Sequence, residues 1–247
     1  MQPSTRVQNP WEGASVFVKE RTRSTMEDVL ELAVRGYPVG TAVIAGFQDS
    51  GRGRAPGRQW ISAPWQSLLF SVVLSKGEPG FPVSQLPLRA AVAVCRSVEG
   101  LLGGVRVKWP NDVLVSGKKL AGILCEGRRG FFTCGVGINC SQEEFPPELS
   151  GSACSLRQAG CGEISVFDLC AGVLAELRRV LSDPGWKADL DGRLEGLGSS
   201  VTVRAPGSDR TVTGVVEGVE DDGALRLRLA DGRLARVSHG EISGSRR

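Results

Sequence analysis

The sequence predicts an α+β fold, a mixed sheet with helices on one face, followed by a small all-β, barrel-like domain. Three observations predict it. Apolar strand-like runs cluster between short turns over residues 105–137, which favours a mixed sheet over a doubly wound one. Amphipathic helical patterns stand at 88–102 and 166–181. After Gly196–Gly198 the pattern changes to period-2 alternation. These features divide the chain into a domain at 14–196 and a β domain at 197–247.

The elements follow in order. Residues 1–13 read as a loose lead-in, and Ala14–Lys19 as a short strand. Ser24-Thr25-Met26-Glu27 has the form of a capping box, with Met26, Val29, Leu30 and Ala33 as the apolar face behind it. That helix stops near Gly36. Thr41–Phe47 reads as a buried strand, Gln48 to Pro64 as a loop rich in Gly and Arg, and Ser67–Leu74 as an apolar strand. Leu88–Leu102 is a helix ended by Gly103-Gly104. Val105–Trp109, Val113–Val115, Leu120–Glu126 and Phe131–Gly137 are strands, with turns at Ser116-Gly117 and Arg129-Gly130. Val166–Leu181 is a helix capped by Ser165. In the last domain Val201–Val203, Thr211–Val216, Leu225–Leu229 and Leu234–Val237 are strands, and Asp221-Asp222-Gly223 and Asp231-Gly232 carry hairpin-turn signals.

Composition removes several classes of function. The chain has 247 residues, 41% hydrophobic and 23% charged, as in an ordinary soluble globular protein. A net charge of +3 argues against a protein coated for nucleic acid. One histidine, His239, argues against His-based triads and multi-His metal sites. The 7 cysteines include no C-x-x-C pair and read as small buried hydrophobes in a reducing compartment. The start lacks an apolar signal-peptide core, and no apolar run approaches the ~20 residues of a membrane helix. A cytosolic protein is expected.

Three segments concentrate chemistry. Gln48 to Trp60 holds Gly51, Gly53 and Gly57 with Arg52, Arg54 and Arg58, between two core strands. Glycines let backbone N–H groups approach an anion, and arginine forks suit carboxylate or phosphate. A solvated basic loop or an RNA-binding Gly/Arg segment is the competing reading. The second segment is Lys108-Trp109-Pro110-Asn111-Asp112 with Lys118-Lys119-Leu120-Ala121-Gly122-Ile123. In an alternating strand Lys118 and Lys119 point to opposite faces, so one points inward and needs an anionic partner. An exposed turn is the bland alternative. The third, Gly135-Val136-Gly137-Ile138-Asn139, allows close approach at a strand end, and lacks the third glycine and following helix of a dinucleotide fingerprint.

Together these segments resemble the catalytic core of bacterial biotin–protein ligases. Ser24-Thr25, Gln48 to Trp60, Lys108 to Asp112, Lys119 to Ile123 and Gly135 to Asn139 occur in that family's order, and Gly240-Glu241-Ile242-Ser243 is similar to the end of its C-terminal domain. The resemblance implies an SH3-like β domain at the C-terminus. It implies activation of biotin by ATP and Mg²⁺ as biotinyl-AMP, then transfer to a lysine of a biotin carboxyl carrier protein. It places Lys119, Arg54 and Asp112 in catalysis. Biotin would be bound by Ser24, Thr25, Met26, Gln48, Gly51, Arg52, Gly53, Arg54, Lys119 and Gly122. ATP would be bound by Arg52, Arg54, Arg58, Trp60, Lys108, Asn111, Asp112, Lys119 and Asn139, with Mg²⁺ arriving on ATP near Asp112. Trp60 would stack near adenine.

Three departures accompany the resemblance. Met26 stands where the family often has Asn. The stretch Arg54-Ala55-Pro56-Gly57-Arg58 is one residue longer than the commoner loop. Residues 1–13 are too few for the DNA-binding module of some members, so no repressor function is expected. Monomer and homodimer stay open. The alternatives are a lipoate or octanoate ligase of the same fold, a form that only holds biotin, and a non-enzymatic RNA-binding module.

Overall fold

A computed structural model describes residues 2–55, 57–77, 79–205 and 210–246, with side chains through Ser243. The larger part is built from β1 (Val16–Thr22), α1 (Thr25–Val34), β2 (Ala42–Gln48), β3 (Ser67–Lys76), α2 (Leu86–Val98), β4 (Val105–Lys108), β5 (Asp112–Val115), β6 (Lys118–Arg128), β7 (Phe131–Asn139), α3 (Pro147–Ser150), α4 (Val166–Ser182) and α5 (Trp186–Arg193). The seven strands form one sheet in the order β1-β2-β3-β7-β6-β5-β4. Only β1 and β2 run parallel, so the sheet is mixed as the sequence predicts.

The two faces of this sheet have different fates. On one face Ile44, Phe70, Val136 and Ile123 lie in register across four strands. They are buried in a core shared with Leu88, Val92 and Cys95 of α2 and with Val173, Leu174 and Leu177 of α4. On the other face Phe17, Val43 and Val73 pack with Val29, Leu32 and Ala33 of α1 in a second, smaller cluster. The long helices α2 and α4 thus share one face as expected, while α1 lies on the opposite one. Farther along that second face the register row is Ala45, Leu69, Gly137, Gly122 and Asp112. No helix covers its glycine end, and the candidate site forms there.

Local signals explain the helix ends. Ser24 has the extended backbone of an N-cap, but its side chain makes no capping bond. Glu27 pairs with Arg23 at 3.7 Å. Neither reciprocal bond of the predicted capping box forms: the Ser24 side chain lines the pocket and Glu27 pairs with Arg23 instead. α1 ends at Gly36 with φ +94°, a backbone state glycine adopts without strain. Ser165 does cap α4, accepting from the Asp168 N–H at 3.3 Å. Helices α3 and α5 carry no periodic signal strong enough to predict.

The C-terminal part is a five-stranded antiparallel sheet ordered β11-β10-β9-β8-β12. Its strands are β8 (Ser200–Arg204), β9 (Thr211–Val219), β10 (Leu225–Arg228), β11 (Leu234–Val237) and β12 (Glu241–Arg246). Val201, Val203, Val216, Leu225 and Leu227 form its buried side. One of its hairpin turns docks on the larger part. Ser84 Oγ donates to the Asp222 carbonyl at 2.5 Å, the Trp109 indole N–H donates to the Gly223 carbonyl at 2.9 Å, and the Gln85 amide donates to the Asp221 carbonyl. Gly223 has φ +88°, and a Cβ there would lie 3.0 Å from the Ser84 carbonyl oxygen. The turn read from Asp221-Asp222-Gly223 is thus also the docking point.

Among the described residues no helix is long and apolar enough to cross a membrane. All seven cysteines are free thiols. Burial pushes Cys95 up to about 12 and Cys140 up to about 11, and raises Cys170 as well. Burial disfavours the thiolate, so these three are poor nucleophiles near pH 8. In the native protein near pH 8, a disulfide reagent should leave Cys95, Cys140 and Cys170 unmodified by peptide mass mapping, and all seven should react in denaturant. Rapid native labelling of any of the three would contradict this packing.

Candidate active site

Two adjoining pockets lie over the glycine end of the sheet. The inner one, of about 70 Å³, is lined by Ser24, Thr25, Met26, Gln48, Ser71 and Gly135 among others. The outer one, of about 630 Å³, is lined by Arg58, Lys108, Asp112, Asn139, Ser152 and Glu241 among others. Gly53, Arg54, Trp60, Asn111 and Lys119 border both.

The inner pocket is walled by a buried polar chain. Gln48, at the end of β2, accepts through Oε1 from the Thr25 N–H at 2.8 Å and from Thr25 Oγ1 at 3.0 Å. Thr25 Oγ1 in turn lies 2.7 Å from Ser71 Oγ. With its oxygen occupied, the Gln48 amide nitrogen makes no hydrogen bond among the described residues and is free to donate to a ligand. Met26 contributes to the apolar part of the wall, with Leu69 and Leu124 among others. A Cβ at position 135 would lie 2.9 Å from Met26 Sδ, so Gly135 makes room for that side chain.

The Gly/Arg segment folds as a hairpin over this wall. Arg52 and Gln59 form an antiparallel bridge, and the Gly53 N–H donates to the Arg58 carbonyl at 2.8 Å. The Trp60 N–H donates to the Gly51 carbonyl at 3.0 Å. Gly51 contributes this backbone anchor and borders neither pocket. Pro56, in the longer part of the loop, lies outside the described residues. Trp60 lays its indole on the sheet: a Cβ at 137 would fall 2.8 Å from the ring, and one at 122 would fall 3.1 Å from it. The two glycines leave room for the aromatic ring to lie directly on this floor. The indole N–H is buried with no partner, which leaves a donor for a ligand.

A β-bulge places the key lysine. Opposite β5, Ala121 pairs with Val113 and Lys119 with Leu114, so Leu120 is an extra residue. Leu120 is fully buried. Without the bulge, Lys119 would share the face of Ala121 and Ile123 and point into the helix-covered core. With it, Lys119 joins Gly122 and Asp112 on the open face. Its Nζ lies 2.6 Å from Asp112 Oδ1 and 6.0 Å from the Trp60 ring centroid. Lys119 thus faces the site instead of the core and has Asp112 as its carboxylate partner there. Lys118 is exposed.

The other cations are held by carboxylates too. Arg52 pairs with Glu126 at 3.3 Å. Arg54 and Arg58 reach Glu241 of β12 at 3.4 Å and 3.3 Å, and Arg54 also donates to the Gly240 carbonyl at 2.7 Å. Arg54 Nε is buried without a partner. Lys108 borders the outer pocket and makes no ion pair among the described residues. Two asparagines spend their amides on the scaffold. Asn139 Nδ2 donates to the Cys154 carbonyl at 3.1 Å and to the Lys119 carbonyl at 3.3 Å, and Asn111 Nδ2 donates to the Ile123 carbonyl at 2.7 Å. Asn139 therefore acts on the strand that carries Lys119.

The structure brings Ser24, Thr25, Met26, Gln48, Arg52, Gly53, Arg54, Arg58, Trp60, Lys108, Asn111, Asp112, Lys119, Gly122 and Asn139 to the lining of these pockets, and leaves Gly51 and Lys118 outside it. It adds residues that the sequence reading missed. Phe145, Leu149, Ser152 and Ala153 come from a stretch without periodicity, and Arg204, Glu241, Ile242 and Ser243 come from the other domain. Of these, only the segment from Glu241 to Ser243 carried a signal, its similarity to a family tail. Among the described residues no group of three His, Cys, Asp or Glu side chains could hold a metal ion.

The glycine floor gives a prediction. Gly137→Ala should lift Trp60 and loosen the hairpin, because the added carbon overlaps the indole. Trypsin should then cut after Arg52, Arg54 or Arg58 faster than in the wild type, read by mass spectrometry. An unchanged cleavage rate would mean that Trp60 does not anchor the hairpin.

Comparison with known proteins agrees with this geometry. Residues 18–143 match the biotin/lipoate A/B protein ligase family, and residues 196–244 match the biotin protein ligase C-terminal domain. The chain is 35% identical to a biotin–[acetyl-CoA-carboxylase] ligase of Mycobacterium tuberculosis, over 91% of this chain and 87% of that protein. It is 33% identical to the bifunctional ligase/repressor BirA of Bacillus spizizenii, over 89% of this chain and 71% of that protein. The biotin protein ligase from Aquifex aeolicus, solved in complex with biotin and ATP, superposes with a TM-score of 0.81 at 27% identity, over 92% of this chain and 97% of that one. A sheet with one glycine-floored face, a Gly/Arg hairpin above it and a docked C-terminal β domain thus make this chain a member of the biotin/lipoate A/B protein ligase family.

Proposed function

We propose that this protein activates biotin with ATP as biotinyl-5'-AMP and transfers the biotin to a lysine of a biotin carboxyl carrier protein. The observation that carries this reading is the pair of adjoining pockets with Lys119 and Arg54 on their shared border. The inner pocket suits an organic acid with a polar head, held by Ser24, Thr25, Gln48 and the backbone of Arg52 and Gly53, with Met26 and Gly122 against its apolar part, while Gly51 anchors the hairpin that covers it. The outer pocket suits ATP, met by Arg58, Trp60, Lys108, Asn111 and Asp112. Asn139 supports that site through the Lys119 strand. Arg52, Arg54 and Lys119 serve both ligands.

The chemistry needs this arrangement. A biotin carboxylate oxygen attacks the α-phosphorus of ATP and pyrophosphate leaves, so two anions must first be brought together. Lys119 and Arg54 neutralise that repulsion at the junction, in a site largely shielded from water. Magnesium would enter with ATP as part of the substrate, near Asp112. In the second half-reaction a neutral lysine amine of the acceptor attacks the mixed anhydride carbonyl and AMP leaves. Asp112, freed from Lys119 when that lysine turns to phosphate, orients the amine or takes its proton. The hairpin over the inner pocket would move to admit biotin and afterwards shield the anhydride from water.

The test is to incubate the protein with biotin, Mg²⁺ and ATP labelled on its α-phosphate. Biotinyl-AMP should form, then disappear when a biotin-acceptor domain is added. Adenylate formed only with lipoate or octanoate would replace the substrate, and none with any of the three acids would refute the reading. Lys119→Ala should slow adenylate formation about a hundredfold or more, equivalent to roughly 3 kcal/mol of transition-state stabilisation, with folding retained by circular dichroism. Unchanged turnover would remove Lys119 from the chemistry.

A further inference from the structure

The C-terminal domain enters the outer pocket through a carboxylate. Glu241 opens β12 and faces both Arg54 and Arg58, at 3.4 Å and 3.3 Å. The Gly240 carbonyl accepts from Arg54 beside it. Gly240 is seated directly on β8: a Cβ there would lie 2.4 Å from Val203 Cγ1 and 2.9 Å from the Arg204 carbonyl oxygen. The two cations at the tip of the hairpin are thus fastened to a fixed point on the other domain.

ATP makes a claim on the same cations, because phosphates are stronger partners for guanidinium than a half-exposed carboxylate. That exchange has a direction in time. While the triphosphate is bound, its oxygens can hold Arg54 and Arg58. Once pyrophosphate leaves, Arg58 loses those anions and Arg54 is left with the single phosphate of the adenylate, and the hairpin loses most of its anchor just when the mixed anhydride must be kept from water. Among the described residues Glu241 and the Gly240 carbonyl are the groups in place to take both guanidinium groups back.

We propose that Glu241 is a positioning residue that recaptures Arg54 and Arg58 after pyrophosphate leaves and clasps the hairpin over the adenylate until the acceptor lysine arrives. The proposal rests on the activity proposed above. It deepens that reading by giving the C-terminal domain a task in the interval between the half-reactions. Arg58 is 71% exposed and Glu241 41%, so each ion pair is weak and the clasp opens readily.

The experiment measures how long biotinyl-AMP stays bound. The whole protein is loaded with labelled biotin, Mg²⁺, ATP and pyrophosphatase, then chased with unlabelled biotinyl-AMP. Glu241→Ala should release the label roughly three- to tenfold faster than the wild type, the effect expected of two exposed ion pairs. Arg58→Ala should act in the same direction, and the double variant should release more slowly than the product of the two effects predicts. Glu241→Gln keeps the shape without the charge and reads the same way if Glu241→Ala fails to fold. Equal release by the wild type and the Glu241 variants would overturn the clasp alone. So would a change confined to KM for ATP, which would make Glu241 a competitor of the phosphates. A wild type that forms no biotinyl-AMP would overturn both the clasp and the activity beneath it.

Discussion

One extra residue in β6 governs the site. Leu120 bulges out of register, and the alternation of the strand restarts on its far side. Before the bulge Lys119 faces the open side of the sheet, and after it Ala121 and Ile123 face the helices. The bulge is held from both directions. Leu120 is buried, and the Lys119 backbone is bonded to Ser152 and Cys154 along its outer edge. A lysine so placed can neither retreat into the core nor swing freely into solvent. Its charge is fixed where two pockets meet, which is what electrostatic catalysis asks of a cation.

The rest of the site is arranged around what that face lacks. Gly122 and Gly137 carry no side chains, so an indole can lie on the sheet and become the underside of a lid. Gly135 does the same for Met26. The hairpin that brings Trp60 also brings three arginines, and each has a carboxylate from a different part of the chain within reach, Glu126 for Arg52 and Glu241 for Arg54 and Arg58. Without phosphates the hairpin is therefore neither loose nor unpaired. It rests on internal anions that ligand anions can replace.

Much of this was legible in the sequence, and the gaps have physical reasons. The strands, the two long helices and the turns come from local periodicity and turn chemistry, and they stand close to where the pattern puts them. The need of an inward lysine for an acid partner is general electrostatics, and Asp112 meets it. What periodicity cannot supply is pairing. The bulge at Leu120 exists only relative to β5, so the strand alone does not tell which lysine turns in. Asn139 and Asn111 read as polar groups near a ligand, but which acceptors surround them depends on strands far away in the chain. The same holds for Glu241, where an acidic residue in a C-terminal strand gives no local sign that it faces arginines of the other domain. The position of α1 on the second face follows from the handedness of the β1–α1–β2 crossover rather than from the helix itself.

The docking of the two domains has a further consequence. Ser84, Gln85 and Trp109 grip three consecutive carbonyl oxygens, those of Asp221, Asp222 and Gly223. Main-chain oxygens look alike whatever side chain they belong to. The joint therefore reads the shape of the turn and the absence of a side chain at 223, and Asp222 serves it only indirectly, by accepting from the Ala224 N–H and holding that shape. Substitutions elsewhere in the small sheet can accumulate without losing the alignment that carries Glu241 to the hairpin.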